Sequence, residues 1–267
     1  MSFSIAGKTA IVTGAANGVG LAIAQSFVAA GANVLFADMD ESRLVDELGD
    51  NTEKNVAYFT GDLRQRLTIA NLLSATVDAF DRVDILVNAA RQVIPSKPLC
   101  NTDDAMDVML QQNLITPLRL SQAIAKRMIK QAENDENEDG PVGTIINLTS
   151  TADRQTHPEL MGYSVSTAAL NQMTKSLAVA LAPNRIRVNA VAFGSVMSAS
   201  LKKALKQDDS IRPSIIKHTP LGRIAAAHEI TDAVQFLASE SAGFITGEIL
   251  TIDGGRSLLD TTHAPIY

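Results

Sequence analysis

The stretch that decides the fold is residues 9–38, which read TAIVTGAANGVGLAIAQSFVAAGANVLFAD. It opens with the apolar run TAIV and closes with the apolar run NVLFA, and each run predicts a buried strand. Between them, residues 18–30 carry apolar side chains at helical spacing, and Gly31 follows as a helix stop. The glycine-rich turn from Thr13 to Gly20 joins the first strand to the helix. The stretch therefore predicts a βαβ unit whose turn approaches a pyrophosphate.

The same alternation of short apolar runs and longer helical patterns continues along the chain. Strands separated by helices favour parallel pairing, and continuous apolar strands fit a sheet that helices cover on both faces. The sequence has no internal repeat and no proline- or serine-rich linker, so residues 1–267 are predicted to form a single α/β domain. Further strands are predicted at residues 56–59, 84–87, 144–148, 187–191 and 248–252.

Composition narrows the classes of function. The chain has 267 residues and a formal net charge of −6, with no basic block, so we expect neither a nucleic acid nor an acidic membrane surface as a partner. The single cysteine, Cys100, cannot form an internal disulfide. No apolar run reaches the ~20 residues of a membrane helix, and the N-terminus lacks a signal-peptide pattern. We therefore expect a soluble cytoplasmic protein.

Two segments stand apart from the alternating pattern. Residues 131–140 (QAENDENEDG) carry five acidic side chains and no basic one, which predicts an acidic surface loop. Residues 195–219 carry five Lys and Arg side chains against two acidic ones, and they predict a helical insertion after the sixth strand. We predict a substrate lid there, since such an insertion lies at the carboxyl end of the sheet. An ordinary amphipathic surface helix explains the same residues.

Three polar residues bear on the nucleotide that the glycine turn would bind. Asp38 ends the second strand, where a carboxylate can accept hydrogen bonds from both hydroxyls of an adenosine ribose and would repel a 2′-phosphate. Asn17 in the turn is neutral, so no cation is expected near such a phosphate. Both features favour NAD(H) over NADP(H), although Asp38 has the alternative role of a loop-capping carboxylate. Asp62, just after the third strand, is placed to meet the adenine ring.

From residue 8 to about residue 257 the sequence resembles the classical short-chain dehydrogenase/reductase family. The resemblance implies one Rossmann-type doubly wound parallel sheet of about seven strands, in the order 3-2-1-4-5-6-7, with helices on both faces. It also implies hydride transfer between a nicotinamide cofactor and an alcohol or carbonyl carbon, in a homotetramer or homodimer. The motifs that carry it are the glycine turn, residues 62–63, residues 84–90, Asn113, NLTS at 147–150 with Tyr163 thirteen residues later, residues 185–191 and residues 245–255.

The resemblance also implies residue roles. Ser150 would hold the substrate oxygen, Tyr163 would exchange its proton, and Asn113 would take part in the proton relay. A free tyrosine hydroxyl has a pKa of about 10, so a nearby positive charge or hydrogen bonds must activate it near neutral pH. The four histidines have no metal-ligand spacing, and we expect no metal. The expected cofactor-binding residues are Gly14, Asn17, Gly18, Val19, Gly20, Asp38, Asp62, Leu63, Asn88, Ala89, Ala90, Tyr163, Gly194 and Val196.

Several positions depart from the family pattern. The active-site lysine belongs four residues after the tyrosine, where this chain has the uncharged Thr167. An i, i+4 spacing lies on one helix face, so we expect the Thr167 hydroxyl to point toward the nicotinamide ribose. The family's Asn-Asn-Ala-Gly segment reads NAAR at residues 88–91, which puts Arg91 in place of the glycine. Its Pro-Gly after the sixth strand reads FG at residues 193–194.

Two hypotheses of function follow. In the first, the protein is an NAD(H)-dependent oxidoreductase that interconverts a secondary alcohol and a ketone, with weak or atypical turnover. Its tyrosine would need another cation, and Arg91 is the candidate because a guanidinium is always charged. The sequence alone nevertheless favours an Arg91 that points outward. In the second hypothesis, the chain is a catalytically impaired NAD(H) sensor or partner-binding protein. The basic residues within 195–219 are also compatible with a substrate that carries a negative charge.

Overall fold

The computed structural model describes residues 3–49, 54–96, 98–99, 105–133 and 140–260. Seven strands form one parallel sheet in the predicted order β3-β2-β1-β4-β5-β6-β7. The strands are β1 (Thr9–Thr13), β2 (Asn33–Asp38), β3 (Val56–Thr60), β4 (Ile85–Asn88), β5 (Gly143–Ser150), β6 (Ile186–Phe193) and β7 (Ile249–Ile252).

Helices cover both faces of the sheet, and a π-helical turn at Gln111–Ile115 joins two of them. The helices of the described chain are α1 (Gly18–Ala29), α2 (Glu41–Leu48), α3 (Arg66–Phe80), α4 (Ala105–Leu110), α5 (Thr116–Ala132), α6 (Met161–Leu181), α7 (Ala199–Gln207), α8 (Ile211–Lys217) and α9 (Ala227–Ala238).

The apolar core lies in two layers, one on each side of the sheet. Alternate residues of β1 feed opposite layers, because successive side chains of a strand point to opposite faces. Val12 packs in the layer that contains α1 and α9, whereas Ile11 packs in the layer that contains α3 and α5. Burial on both faces explains why the strands read as continuous apolar runs.

The strand order reverses between β1 and β4, so their carboxyl ends open a crevice at the point where ligands bind such sheets. Val12 pairs with Val87 across this junction. Further along the same edge, Ser150 at the end of β5 pairs with Phe193 at the end of β6. The topology therefore brings the glycine turn, residues 88–91 and Ser150 to one edge of the sheet.

The two unusual segments differ in what the structure describes. Residues 195–219 contain α7 and α8, in line with the predicted helical insertion. Residues 134–139, which hold most of the predicted acidic loop, lie outside the described residues, as does Cys100. Among the described helices, none has the length and apolar character needed to cross a membrane.

Candidate active site

A pocket of about 630 Å³ opens at this carboxyl edge. Its volume lies in the range of ~300–1,000 Å³ that is typical of small-molecule sites. The walls come from the glycine turn, the end of β2, the turn after β3 and the loop after β4. Most of the predicted cofactor-binding residues converge on it, namely Gly14, Asn17, Gly18, Val19, Gly20, Asp38, Asp62, Leu63, Ala89 and Ala90.

The glycine turn is shaped by close backbone packing. Gly14 has a φ of +67°, and a Cβ there would lie 2.8 Å from the backbone of Ala90. Gly18 has a φ of +61°, but a Cβ there would meet nothing within 4 Å. In the described chain, the Asn17 side chain makes no capping hydrogen bond to α1. The first N–H groups of α1 thus have no side-chain cap at a helix end that favours anions, which fits a dinucleotide pyrophosphate.

Asp38 caps the loops around the pocket and also lines it. Its Oδ2 accepts the backbone N–H of Ala16 at 3.0 Å, and its Oδ1 accepts those of Met39 and Asp40 at 2.7 and 3.1 Å. A carboxylate has about four lone-pair sites, so room for about one further hydrogen bond remains. The loop-capping role is therefore real, and recognition of a ribose hydroxyl stays compatible with it.

Asp62 is engaged by a neighbour that the sequence reasoning missed. The Arg64 guanidinium donates two hydrogen bonds to the Asp62 carboxylate, with Nε–Oδ1 and Nη2–Oδ2 distances of 2.8 Å each. The side-chain hydrogen bond from Arg64 holds the pKa of Asp62 below its ordinary value of 3.8. Arg64 also lines the pocket, so a cation lies on its wall, which the expectation of no cation near a ribose 2′-phosphate did not include. The signal was an acid and a base two residues apart directly after a strand.

Arg91 contacts the predicted catalytic tyrosine. Its Nη1 donates a hydrogen bond to the Tyr163 hydroxyl at 3.2 Å, and its Cζ lies 4.5 Å from the centroid of the Phe193 ring. The expectation of an outward-pointing Arg91 is therefore wrong. Among the described non-glycine residues only Asp81 and Arg185 have positive φ, so the glycine position of the family accepts an arginine here without left-handed backbone.

Thr167 does not point where the sequence predicted. Its hydroxyl donates to the backbone carbonyl of Tyr163 at 2.7 Å, one turn back along α6, and the residue is only 3% exposed. A hydroxyl has one hydrogen to donate, and the helix already uses it. Thr167 therefore has no donor left for a ribose hydroxyl, and it brings no charge to the site.

Asn113 ties the loop after β4 to α6. Its Oδ1 accepts the backbone N–H of Gln92 at 2.8 Å, and its Nδ2 donates to the Gln92 carbonyl at 2.9 Å and to Ser166 Oγ at 3.1 Å. Both amide hydrogens are therefore used. Asn113 lies in the π-helical turn, and its contacts are those of a brace between the loop that carries Arg91 and the helix that carries Tyr163.

Ser150 keeps a free donor at the sheet edge. Its Oγ accepts the backbone N–H of Ala152 at 3.2 Å, and among the described residues its hydroxyl hydrogen has no acceptor, which leaves it available for a substrate oxygen. Its register partner Phe193 is the residue whose ring lies against the Arg91 guanidinium. Ser150, Phe193, Arg91 and Tyr163 thus form a continuous run of neighbours.

Four predicted cofactor-binding residues lie outside the pocket lining, which are Asn88, Tyr163, Gly194 and Val196. Asn88 is buried and donates to Asn147 Oδ1 and Ser121 Oγ at 2.8 and 3.2 Å, so it braces β4 against β5 and α5. Ser198, at the start of α7, lines the pocket instead.

His157 is exposed and accepts the backbone N–H of Glu159, in keeping with a surface role. In the described part of the chain, no cluster of His, Cys, Asp or Glu could hold a metal ion.

Comparison with known proteins identifies the family of this chain. A family model described as enoyl-(acyl carrier protein) reductase matches residues 14–257. The chain is 34% identical over 262 residues to the 3-oxoacyl-(acyl-carrier-protein) reductase FabG of Salmonella typhimurium, covering 97% of this chain and 100% of that one. It is 32% identical over 270 residues to the oxidoreductase UcpA of the same organism, with 98% and 99% covered.

Solved structures agree with the sequence relatives. A 7α-hydroxysteroid dehydrogenase complexed with NADH and 7-oxo glycochenodeoxycholic acid superposes with a TM-score of 0.85 at 29% identity, covering 95% of this chain and 96% of that one. The match of one family model and of full-length relatives extends over nearly the whole chain. The chain therefore belongs to the classical short-chain dehydrogenase/reductase family of oxidoreductases.

Proposed function

We propose that the protein is an NAD(H)-dependent oxidoreductase that interconverts a secondary alcohol and a ketone. The observation that carries this proposal is the Tyr163 hydroxyl, which accepts a hydrogen bond from Arg91, a residue that lines the dinucleotide-sized pocket. A proton-exchanging group beside a cofactor pocket is what hydride transfer to a carbonyl requires from the protein. The catalytic role of Tyr163 is part of the proposal.

The names of similar proteins support the reaction class. One is a hydroxysteroid dehydrogenase complexed with NADH and a 7-oxo compound, and another is a 3-oxoacyl reductase. Dehydrogenases of hydroxyl groups and reductases of oxo groups run the same interconversion in opposite directions. The present chain shares its fold with the first and more than 30% of its residues with the second.

Each proposed catalytic residue has a distinct task. A nicotinamide cofactor held by the glycine turn and Asp38 would supply the hydride chemistry at the alcohol or carbonyl carbon. Tyr163 Oη takes the hydroxyl proton as the alcohol becomes a ketone and gives it back in the reverse direction. Ser150 Oγ donates a hydrogen bond to the substrate oxygen and holds it near Tyr163.

The preference for NAD(H) over NADP(H) rests on charge. Asp38 at the end of β2 would repel a 2′-phosphate, and it keeps acceptor capacity for a ribose hydroxyl. Arg64 is the cation on this side of the pocket, but the Asp62 carboxylate neutralises it through a two-pronged ion pair. A paired guanidinium attracts a second anion less strongly than a free one.

The remaining parts of the proposal concern the whole molecule. We infer a small-molecule substrate and a lid formed by residues 195–219, a role supported by Ser198, which begins α7 and lines the pocket. A cytoplasmic homotetramer or homodimer follows from the family resemblance, and sedimentation analysis of the purified protein tests the oligomer.

Calorimetric titration with NADH and NADPH, followed by a panel of secondary alcohols and ketones, tests the function. We expect tighter binding of NADH and turnover of at least one substrate, both with folded protein. Binding of NADH without turnover by the wild type, together with clear turnover by Thr167→Lys, would establish the sensor hypothesis instead. Absence of binding by either cofactor would remove the basis of both hypotheses.

A further inference from the structure

Arg91 and Phe193, two of the departures from the family pattern, meet beside Tyr163. We propose that Arg91 supplies the positive charge that stabilises the ionised form of Tyr163, and that Phe193 and Asn113 are positioning residues for its side chain. The catalytic meaning of this inference rests on the proposed function. The effect of Arg91 on Tyr163 does not, because it can be measured without cofactor or substrate.

Arg91 is the charged group that faces Tyr163. The small cavity beside Tyr163 is lined by neutral residues of β4, β5, the π-helical turn, α5 and α6, apart from Arg91 itself. The helix α4 and the 3₁₀ turns at Pro158–Leu160 and Thr151–Asp153 also pack against α6. Asp107, Glu159, His157 and Arg154 are exposed. Asp153 accepts a hydrogen bond from Asn171, which lies eight residues along α6 from Tyr163. A charged donor bonds an anionic oxygen about twice as strongly as a neutral donor does, so the guanidinium favours the phenolate.

Nothing on α6 can do the same. Thr167 is uncharged, and its hydroxyl donates its hydrogen bond to the backbone carbonyl of Tyr163. The next cation on the helix, Lys175, is exposed and twelve residues from Tyr163, which is about 18 Å along an α-helix. The charge therefore reaches Tyr163 from the loop after β4 and not from its own helix.

Two neighbours hold Arg91 in place. Phe193 is buried at the end of β6, and its ring faces the guanidinium at 4.5 Å, within the range of a cation–π contact. Asn113 binds both backbone groups of Gln92, the residue that follows Arg91. One contact fixes the end of the side chain and the other fixes the loop from which it departs.

Spectrophotometric titration of tyrosine ionisation in the free protein is the direct test. The chain contains three tyrosines, so subtracting the curve of Tyr163→Phe leaves the signal of Tyr163. We expect ionisation of Tyr163 to require a higher pH in Arg91→Gln than in the wild type, because the guanidinium that donates to its hydroxyl favours the phenolate. Arg91→Lys retains the charge and should lie between the two.

The matched control is Lys175→Gln, which removes the same charge from an exposed site on α6 and should leave the Tyr163 curve unchanged. Phe193→Leu should shift ionisation part of the way toward Arg91→Gln, whereas Phe36→Leu, an equally buried change in β2, should not. Identical Tyr163 curves in the wild type and Arg91→Gln, with both proteins folded by circular dichroism, would overturn the inference.

The pH dependence of turnover tests whether the contact between Arg91 and Tyr163 matters for catalysis. With a substrate identified from the alcohol panel, we expect Arg91→Gln to lower kcat about tenfold near pH 7 and to regain most of it at high pH, with KM little changed. A rise in KM alone, with the pH profile unmoved, would show that Arg91 anchors substrate and does not act on Tyr163. An unchanged tyrosine titration contradicts this inference even if turnover is found, whereas missing turnover with a shifted titration contradicts only the proposed function.

Discussion

Asn113 fixes the loop that carries Arg91 by binding both backbone groups of Gln92, at 2.8 Å to its N–H and 2.9 Å to its carbonyl oxygen. A third bond runs from the same amide to Ser166 Oγ on α6. Asn113 therefore links the loop after β4 to the helix that carries Tyr163.

Asn113→Ala should destabilise the fold and impair the site together. One buried and two partly buried hydrogen bonds are lost at about 1 kcal/mol each, so we expect the free energy of unfolding to fall by about 2–3 kcal/mol in urea titrations. Turnover should fall about tenfold because Arg91 loses its anchor. Asn33→Ala, at the start of β2 away from the site, is the control and should cost less than about 1 kcal/mol with turnover unchanged. Equal stability of both variants would argue against the brace.

Gly14→Ala should be far more damaging than Gly18→Ala. Both glycines have positive φ, which costs a side chain roughly 1–2 kcal/mol. Only at Gly14 would the new Cβ also press on the backbone of Ala90, at 2.8 Å, which adds about 1–3 kcal/mol. Thermal unfolding and NADH fluorescence titration of the two variants check this. Similar losses at the two positions would mean that the close approach of residues 89–90 to the turn does not matter.

The alternation of strands and helices and the glycine turn were predictable, because periodicity and glycine spacing are local properties of the chain. The strand order followed from the family resemblance. The direction of Arg91 was not predictable. It depends on Phe193, which is 102 residues away in the chain and reaches Arg91 only through the sheet register. The orientation of Thr167 was also missed, since an i, i+4 face says nothing about a hydroxyl that bonds back to its own helix. The Asp62–Arg64 pair was visible in the sequence and was overlooked.

Asp38→Ser should narrow the preference for NADH over NADPH. A carboxylate that accepts from a ribose hydroxyl and repels a 2′-phosphate is removed, so NADH should bind about tenfold more weakly, which corresponds to about 1.4 kcal/mol. NADPH should bind at least as well as before. Calorimetric titrations of both cofactors provide the measurement. Asp46→Ser on the exposed side of α2 is the control, and an unchanged ratio in Asp38→Ser would show that Asp38 only caps its loop.

Stability at acid pH should depend on Glu229 at the start of α9. The hydrogen bond from Arg223, followed by that from the backbone N–H of Ala226, lowers the pKa of Glu229 from 4.5 to about 2. A depressed pKa in the folded state gives stability that is complete above pH 4.5 and is lost as the pH falls toward 2. The difference in Tm between wild type and Glu229→Gln should therefore be constant above about pH 5 and shrink below it. A difference that stays constant down to pH 3 would refute the coupling, and Arg223→Gln should reduce the same pH dependence.

The central claim, that this site performs hydride transfer with Tyr163 as the proton-exchanging group, is tested most directly by isotope transfer. NADH carrying deuterium at C4 of the nicotinamide is incubated with the protein and a ketone panel, and the alcohols are examined by mass spectrometry. We predict deuterium on the carbinol carbon of at least one product with the wild type, and at least a hundredfold less with Tyr163→Phe at equal NADH occupancy. Transfer that proceeds equally well in Tyr163→Phe, or no transfer by a wild-type protein saturated with NADH, would contradict the account.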